Sequence, residues 1–186
     1  QMYTIMIDKN EKIDLEFKRR KEGEKNSVKI SADRALSAEN SIRKSIRLIP
    51  LNSTSQAGYI HLWNFMSRDN AKALKDAISN NFSQASALII DLRGRGGRVD
   101  VIRTIARMLS SQKKPTILII DGESRSAKEM LAHRLQGLSH VTLVGEVTAG
   151  AVLPATFEDL TGGAKLMIPS QRGDSQILPF MKNTKL

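Results

Sequence analysis

The sequence predicts an α/β protein built around a mostly parallel sheet, and three observations predict it. Ala87–Leu92 (ALIIDL) and Thr116–Ile120 (TILII) are continuous apolar runs of strand length, the pattern of strands buried on both faces. Each run breaks into a turn, and a segment with helical spacing follows. Repeated strand-then-helix order in one chain implies right-handed crossovers between parallel strands.

Taken in order, residues 1–35 predict short strands at Tyr3–Ile7, Lys12–Lys18 (KIDLEFK) and Ser27–Ile30, with period-two alternation and a charged link, RRKEGEKN. Three strands make a poor core by themselves, so this region reads as a partial β-rich module. Residues 36–57 are polar and serine-rich and predict a linker, with one extended stretch over Ser45–Leu51. From Gly58 to the end, residues 58–186, the alternating pattern takes over. Gly58–Phe65 is a strand, and Ser67 caps a helix reaching Phe82 with Ala71, Leu74, Ala77 and Ile78 on one face. Val101–Leu109 and Ser126–Leu135 are helices, and Val141–Val144 is a further strand.

Composition excludes several classes of function. At 186 residues there is room for one α/β domain and a smaller module. With no cysteine, disulfides, thiolate catalysis and thiolate-held zinc are ruled out. No apolar run reaches the roughly 18 residues that a membrane span needs. The chain opens at Gln1 without an initiator Met or a signal layout, which reads as a piece of a longer protein. The formal charge of +10 is spread over the chain. Aromatic residues are only 4% and are not interleaved with the basic ones, so a solvated basic surface is expected rather than a nucleic-acid platform.

Two segments carry chemistry. Asp91–Arg98 (DLRGRGGR) runs from a buried strand into Gly94, Gly96 and Gly97 and on into a helix. Glycines leave backbone N–H groups uncovered, so the turn suits an anion; it equally suits a plain tight connection. It matches neither a dinucleotide fingerprint nor a P-loop. Asp121–Met130 (DGESRSAKEM) places Ser126 where a strand breaks and a helix begins. A serine there is either a simple helix cap or a nucleophile whose neighbouring N–H groups face developing negative charge. In an open parallel sheet both turns lie at the carboxyl ends of their strands and can share a cleft.

The order GYIHLWNF, ALIIDLRGRGG, TILIIDGESRSAKEM, VTLVGEVTAGAVLP resembles the S41 peptidases, the C-terminal processing, tricorn and retinoid-binding-protein-like group, over about residues 58–169. The family's glycine-rich motif corresponds to Asp91–Gly97, its S-x-S-x-x-E motif to Ser124–Glu129, and its V-G-E-x-T-x-G motif to Val144–Gly150. The resemblance implies a crotonase/ClpP-like spiral of ββα units. It also implies a serine endopeptidase that forms an acyl-enzyme on Ser126, with an oxyanion hole from the N–H of Ala127 and of a glycine in the Gly96–Gly97 pair. It implies no cofactor and no metal, a polypeptide substrate with or without an acidic or carboxylate end, and no nucleic-acid partner. By family habit the compartment is the periplasm or cell envelope. Residues 11–33 resemble the last strands of the PDZ-like module that often precedes this core.

The sequence departs from the family pattern at the general base. The processing branch places a lysine after V-G-E-x-T-x-G, and this chain has Ala151. The tricorn-like branch, favoured by the run T-A-G-A-V-L-P, draws a histidine from a D-G-H segment and a glutamate from an L-E-G segment; neither is present. Among local substitutes, His133 lies about 10 Å from Ser126 by helix rise, His61 alternates with Ile60 and Leu62 on a strand, and His140 looks exposed. Lys128 reads as a solvated lysine with too high a pKa to act as base. Glu129 and Glu146 read as structural supports. Arg93, Arg95, Arg98 and Arg125 flank the two turns, either as surface charge or as a rim for a substrate carboxylate. The expectation is therefore a base supplied from sequence outside this chain. The rivals are a non-catalytic peptide-binding relative and a crotonase-type acyl-CoA enzyme.

Overall fold

The computed structural model describes residues 12–18, 23–31, 38–152 and 155–169. The chain divides into two units between Ser37 and Ala38. In the first, strands β1 (Lys12–Lys18) and β2 (Lys25–Ser31) form an antiparallel hairpin, with Ile13 opposite Ile30. The alternation in KIDLEFK and the charged link foretold that pairing. The strand expected over Tyr3–Ile7 lies outside the described residues.

The second unit is an α/β layer. Its sheet has the order β3-β4-β5-β6-β7. The strands are β3 (Arg47–Pro50), β4 (Gln56–His61), β5 (Ala87–Asp91), β6 (Thr116–Ile120) and β7 (Val141–Gly145). β4 to β7 run parallel and β3 is antiparallel at the edge. The α/β class and the mostly parallel sheet are thus as expected. The apolar runs ALIID and TILII lie inside the sheet but are not buried on both faces as expected: Leu88, Ile90, Leu118 and Ile120 are buried, whereas on the other face Ile89 and Ile119 are half-buried and Ile117 is exposed. Ile60, Leu88, Ile90, Leu118 and Ile120 all point into one core.

The helices that fill this core are α1 (Ala38–Ser45), α2 (Arg68–Asp76), α3 (Val99–Ser111) and α4 (Ala127–Leu135). Ser67 caps α2 as foreseen, with an extended backbone and its hydroxyl accepting the Asp69 N–H. α2 then widens into a π-helical turn over Ala77–Asn81 that brings Phe82 fully into the core. On α3, Val101, Ile102, Ile105, Ala106 and Leu109 are buried, and the stripe follows the helical period. Among the described residues no helix is long and apolar enough to cross a membrane.

Two further parts of the fold differ from the sequence expectation. Residues 36–57, expected to be a linker with one extended stretch over Ser45–Leu51, have that stretch as β3 but also carry the unforeseen helix α1. Ile42 plugs α1 into the core, and Arg43 bridges Glu39 and Asp76 at 2.7 and 2.9 Å. Past residue 150, strands β8 (Ala155–Asp159) and β9 (Lys165–Pro169) make a second antiparallel hairpin that the sequence reading did not anticipate.

Candidate active site

Two strand-to-helix turns, after β5 and after β6, meet at the carboxyl edge of the sheet. The first begins at Asp91, which is fully buried. Its carboxylate accepts from the Tyr59 hydroxyl at 2.7 Å, from the Arg93 backbone N–H at 3.0 Å and from the Arg93 guanidinium at 2.7–3.2 Å. Burial alone would push this carboxyl up, but the bonds from Arg93 and Tyr59 outweigh it and hold it below the usual range. Arg93, one of the four arginines beside the turns, is thereby committed to the fold. Arg98 pairs with Asp100 and Arg125 with Glu123, so this part of the rim's charge is met within the protein.

The glycines serve close approach. A β-carbon at position 97 would lie 2.5 Å from Phe65 backbone and side-chain carbons. Phe65 N–H bonds the Gly96 carbonyl at 3.2 Å and Phe65 O accepts the Arg98 N–H at 3.0 Å, so the turn's exit pairs in parallel with the chain leaving β4. Alternation along such a segment sends the Gly97 N–H to the side away from Phe65. At position 96 a β-carbon would fall 2.6 Å from the Arg125 carbonyl oxygen, 2.9 Å from Ser126 Cβ and 3.4 Å from the Ala127 nitrogen. The glycine turn and the start of α4 are therefore in direct contact, and any side chain at 96 would occupy the space beside Ser126.

The second turn is organised by Asp121. Its Oδ1 accepts from the N–H groups of Gly94, Glu123 and Ser124 at 3.3, 3.2 and 2.9 Å, which ties the two turns together. Ser124 is fully buried, with its hydroxyl 3.1 Å from the Leu92 carbonyl and 2.9 Å from Asp121 Oδ1, so it holds the turn. Ser126 differs. It is half-buried at the N-cap of α4, with φ 55° and ψ −119°, the one non-glycine residue with positive φ among the described residues. Such a conformation costs on the order of 1–3 kcal/mol and persists only where the surroundings over-determine it.

Glu129 supplies much of that determination. Fully buried, it accepts from the Ser126 N–H at 2.8 Å, from the Gly150 N–H at 2.6 Å and from the Ala151 N–H at 3.0 Å. Ser126 and Glu129 have the reciprocal layout of a capping box, the Glu129 carboxylate facing the Ser126 N–H and the serine side chain facing the Glu129 N–H. Ala127, next in the helix, is buried and carries a first-turn N–H with no intrahelical acceptor. The loop after β7 closes round this point, with the Ala149 N–H on the Ser124 carbonyl at 3.1 Å.

The four residues expected from the sequence, Gly96, Gly97, Ser126 and Ala127, thus fall in one place. Two neighbours were misjudged. Lys128 is not solvated: it is fully buried, its Nζ donates to the Arg93 carbonyl at 2.9 Å, and burial, opposed by Asp121 and Asp91, lowers its pKa to about 7. Nothing in its spacing signals this. Glu129 is more than a helix support, and the S-x-x-E spacing of a capping box was the available clue. The histidines are occupied elsewhere. His61 Nε2 lies 3.1 Å from the Arg93 carbonyl, His133 Nδ1 3.1 Å from Gln136, and His140, half-buried rather than exposed, 3.1 Å from the Leu109 carbonyl.

Comparison with known proteins bears on the fold and the family. The chain is similar to the photosystem II D1 C-terminal processing protease (TM-score 0.56, 17% identity, covering 87% of this chain and 50% of that one). It is also similar to a putative S41 protease from Bacteroides fragilis (TM-score 0.56, 16% identity, 84% and 52%). A third likeness is to the tricorn protease (TM-score 0.51, 19% identity, 80% and 17%). Such likenesses show the shared fold, and the chain spans about half the length of the first two. No curated protein matches the sequence. The sequence profile of Peptidase family S41, however, matches residues 56–114 and 107–174, which includes both turns, Ser126 and the loop after β7. The chain belongs to peptidase family S41.

Proposed function

We propose that this chain is the core of a serine endopeptidase and that Ser126 is its nucleophile. The observation that carries the reading is the strained backbone of Ser126 at the N-terminus of α4, with Gly96 packed against it. Strain of this kind has a use where a hydroxyl must be lifted out of the turn toward a substrate. The Ser126 oxygen bonds to the substrate carbonyl carbon, and the N–H groups of Ala127 and Gly97 receive the oxyanion. The hydroxyl proton passes to a base and then to the leaving amine as the C–N bond breaks; water afterwards hydrolyses the acyl-enzyme. Position 151 is an alanine, the three histidines have other partners and Lys128 is tied to the Arg93 carbonyl, which supports a base drawn from sequence not present here. The substrate is a polypeptide, entering along the face where the two turns meet.

The test is covalent labelling with a fluorophosphonate probe, followed by peptide mapping. With no base in the chain the label is expected to enter slowly, but on Ser126 ahead of every other serine, and Ser126→Ala should abolish it. Casein turnover by the chain alone should be very slow, since an oxyanion hole without its base retains only a small part of full catalysis. Labelling at another serine, or robust turnover lost on His61→Ala, would overturn this assignment. Ala151 favours a second reading, a peptide-binding relative without catalysis. That reading predicts no labelling but retained peptide affinity. A crotonase-type acyl-CoA enzyme would have no use for a strained serine at this turn.

A further inference from the structure

The peptide plane that opens the glycine turn is clamped at both ends. Its carbonyl, from Arg93, receives Lys128 Nζ at 2.9 Å and His61 Nε2 at 3.1 Å; its N–H, from Gly94, reaches Asp121 Oδ1 at 3.3 Å. One residue earlier the Leu92 carbonyl lies 3.1 Å from the Ser124 hydroxyl. Lys128 is the costly member of this set. It is sealed from solvent, 5.6 Å from the Phe65 ring, with one hydrogen bond to the protein where an ammonium has three to donate. A methionine would fill the same volume without burying a charge. A buried cation with no direct ion pair is retained against its desolvation penalty where it does something an apolar side chain cannot.

We infer that Lys128 is a positioning residue for the proposed reaction: it holds the Arg93 carbonyl inward and so fixes the direction in which the amides of Gly96 and Gly97 face Ser126. The inference rests on the reading of Ser126 as nucleophile. A peptide plane free at one end can rotate, and rotation at Arg93–Gly94 would propagate through Arg95 to the Gly96 N–H, ahead of the point where Phe65 holds the Gly96 carbonyl. Lys128 itself does not reach the reacting atoms. It stands on α4 two residues beyond Ser126, a spacing at which side chains do not share a helix face. The charged and titratable groups that face it are Asp91 from β5, Asp121 from the turn after β6 and, across the shared carbonyl, His61 from β4. Both carboxylates favour the ammonium and burial opposes it.

The experiment compares the wild-type chain with Lys128→Met. With the buried charge gone, the variant is expected to melt higher than wild type at pH 7, yet to label with the fluorophosphonate probe on the order of tenfold more slowly. Its Gly96 and Gly97 amide resonances should move or broaden. A residue with a merely structural role would not show greater stability together with slower labelling. Unchanged glycine amides in folded Lys128→Met, or unchanged labelling, overturn the inference. Should the variant fail to fold, the wild-type glycine amides are followed from about pH 6 to about pH 9 beside the Lys128 side-chain carbons. A shared transition supports the clamp, and flat glycine amides overturn it. If the wild-type chain takes no probe at Ser126, the nucleophile reading falls, and the amide measurements still decide what Lys128 does.

Discussion

Helix α3 buries Val101, Ile102, Ile105, Ala106 and Leu109 and keeps Asp100 and Arg103 off the core; helix α4, packed against it, buries every residue from Ala127 to Ala132. Both helices follow a strand-to-helix turn, and both lie on the same sheet. In α3 each buried group is apolar and its contribution is hydrophobic. In α4 two neighbouring ionisable residues are buried and look in different directions. Lys128 reaches under the glycine turn, and Glu129 reaches the loop after β7. Adjacent helical residues do not share a face, so each fixes a different wall around Ser126. α3 shows what this fold needs to be stable, and α4 shows where stability gives way to geometry.

The sharpest way to break this contrast is a pair of truncations. Glu129→Ala removes a fully buried carboxylate and leaves the N–H groups of Ser126, Gly150 and Ala151 without their acceptor, and should lower stability by about 3 kcal/mol and abolish labelling of Ser126. Ile105→Ala removes a comparable share of core, about 3 kcal/mol, and should leave labelling of the folded protein intact. Urea denaturation and probe kinetics on the two variants decide it. Equal loss of labelling in both would mean that α4 is special only in composition.

Smaller is the pH effect of Lys128. Its pKa falls from the model-peptide value to about 7 in the fold, so between pH 7 and the ordinary lysine range the unfolded chain binds the extra proton. Stability from this group therefore rises as pH rises, and is lost as pH falls toward 7. The stability advantage of Lys128→Met over wild type should shrink by about 2 kcal/mol between about pH 7 and about pH 9. No such change is expected for a substitution on α3. Least of all, Arg98→Ala at the start of α3 should leave the denaturation midpoint unchanged within error, because its pair with Asp100 is exposed to solvent and screened.

The sequence exposed those parts of the molecule that follow a period. ALIID and TILII are legible because their strand-length runs are apolar on both faces, and α3 because its apolar stripe recurs every turn. Helix α1 is hard to see because AENSIRKS buries only Ile42 and so has no apolar stripe, although Ala38, Glu39, Arg43 and Lys44 favour a helix and Glu39 pairs with Arg43 one turn on. The hairpin of β8 and β9 was missed because Phe157, Met167 and Ile168 remain substantially exposed there, so no inside-outside alternation marks it. At the site, the two strand-to-helix turns were readable because turn chemistry is local, while the choice of Gly96, Gly97, Ser126 and Ala127 within them came from the family resemblance. Burial of Lys128 was not readable, since lysine carries a strong presumption of solvent that only the assembled sheet edge overrides.

Glu129 also has a consequence for the order in which the chain is made. Its carboxylate is present once α4 exists, but two of its three donors belong to Gly150 and Ala151. A nascent chain halted before them would have the serine, the helix and the glycine turn, and a buried anion short of partners. Such an anion draws in water or lets the helix start fray, and the unusual backbone at Ser126 relaxes with it. The elbow can therefore close only after synthesis has passed residue 151, by which time the sheet from β3 to β7 is complete.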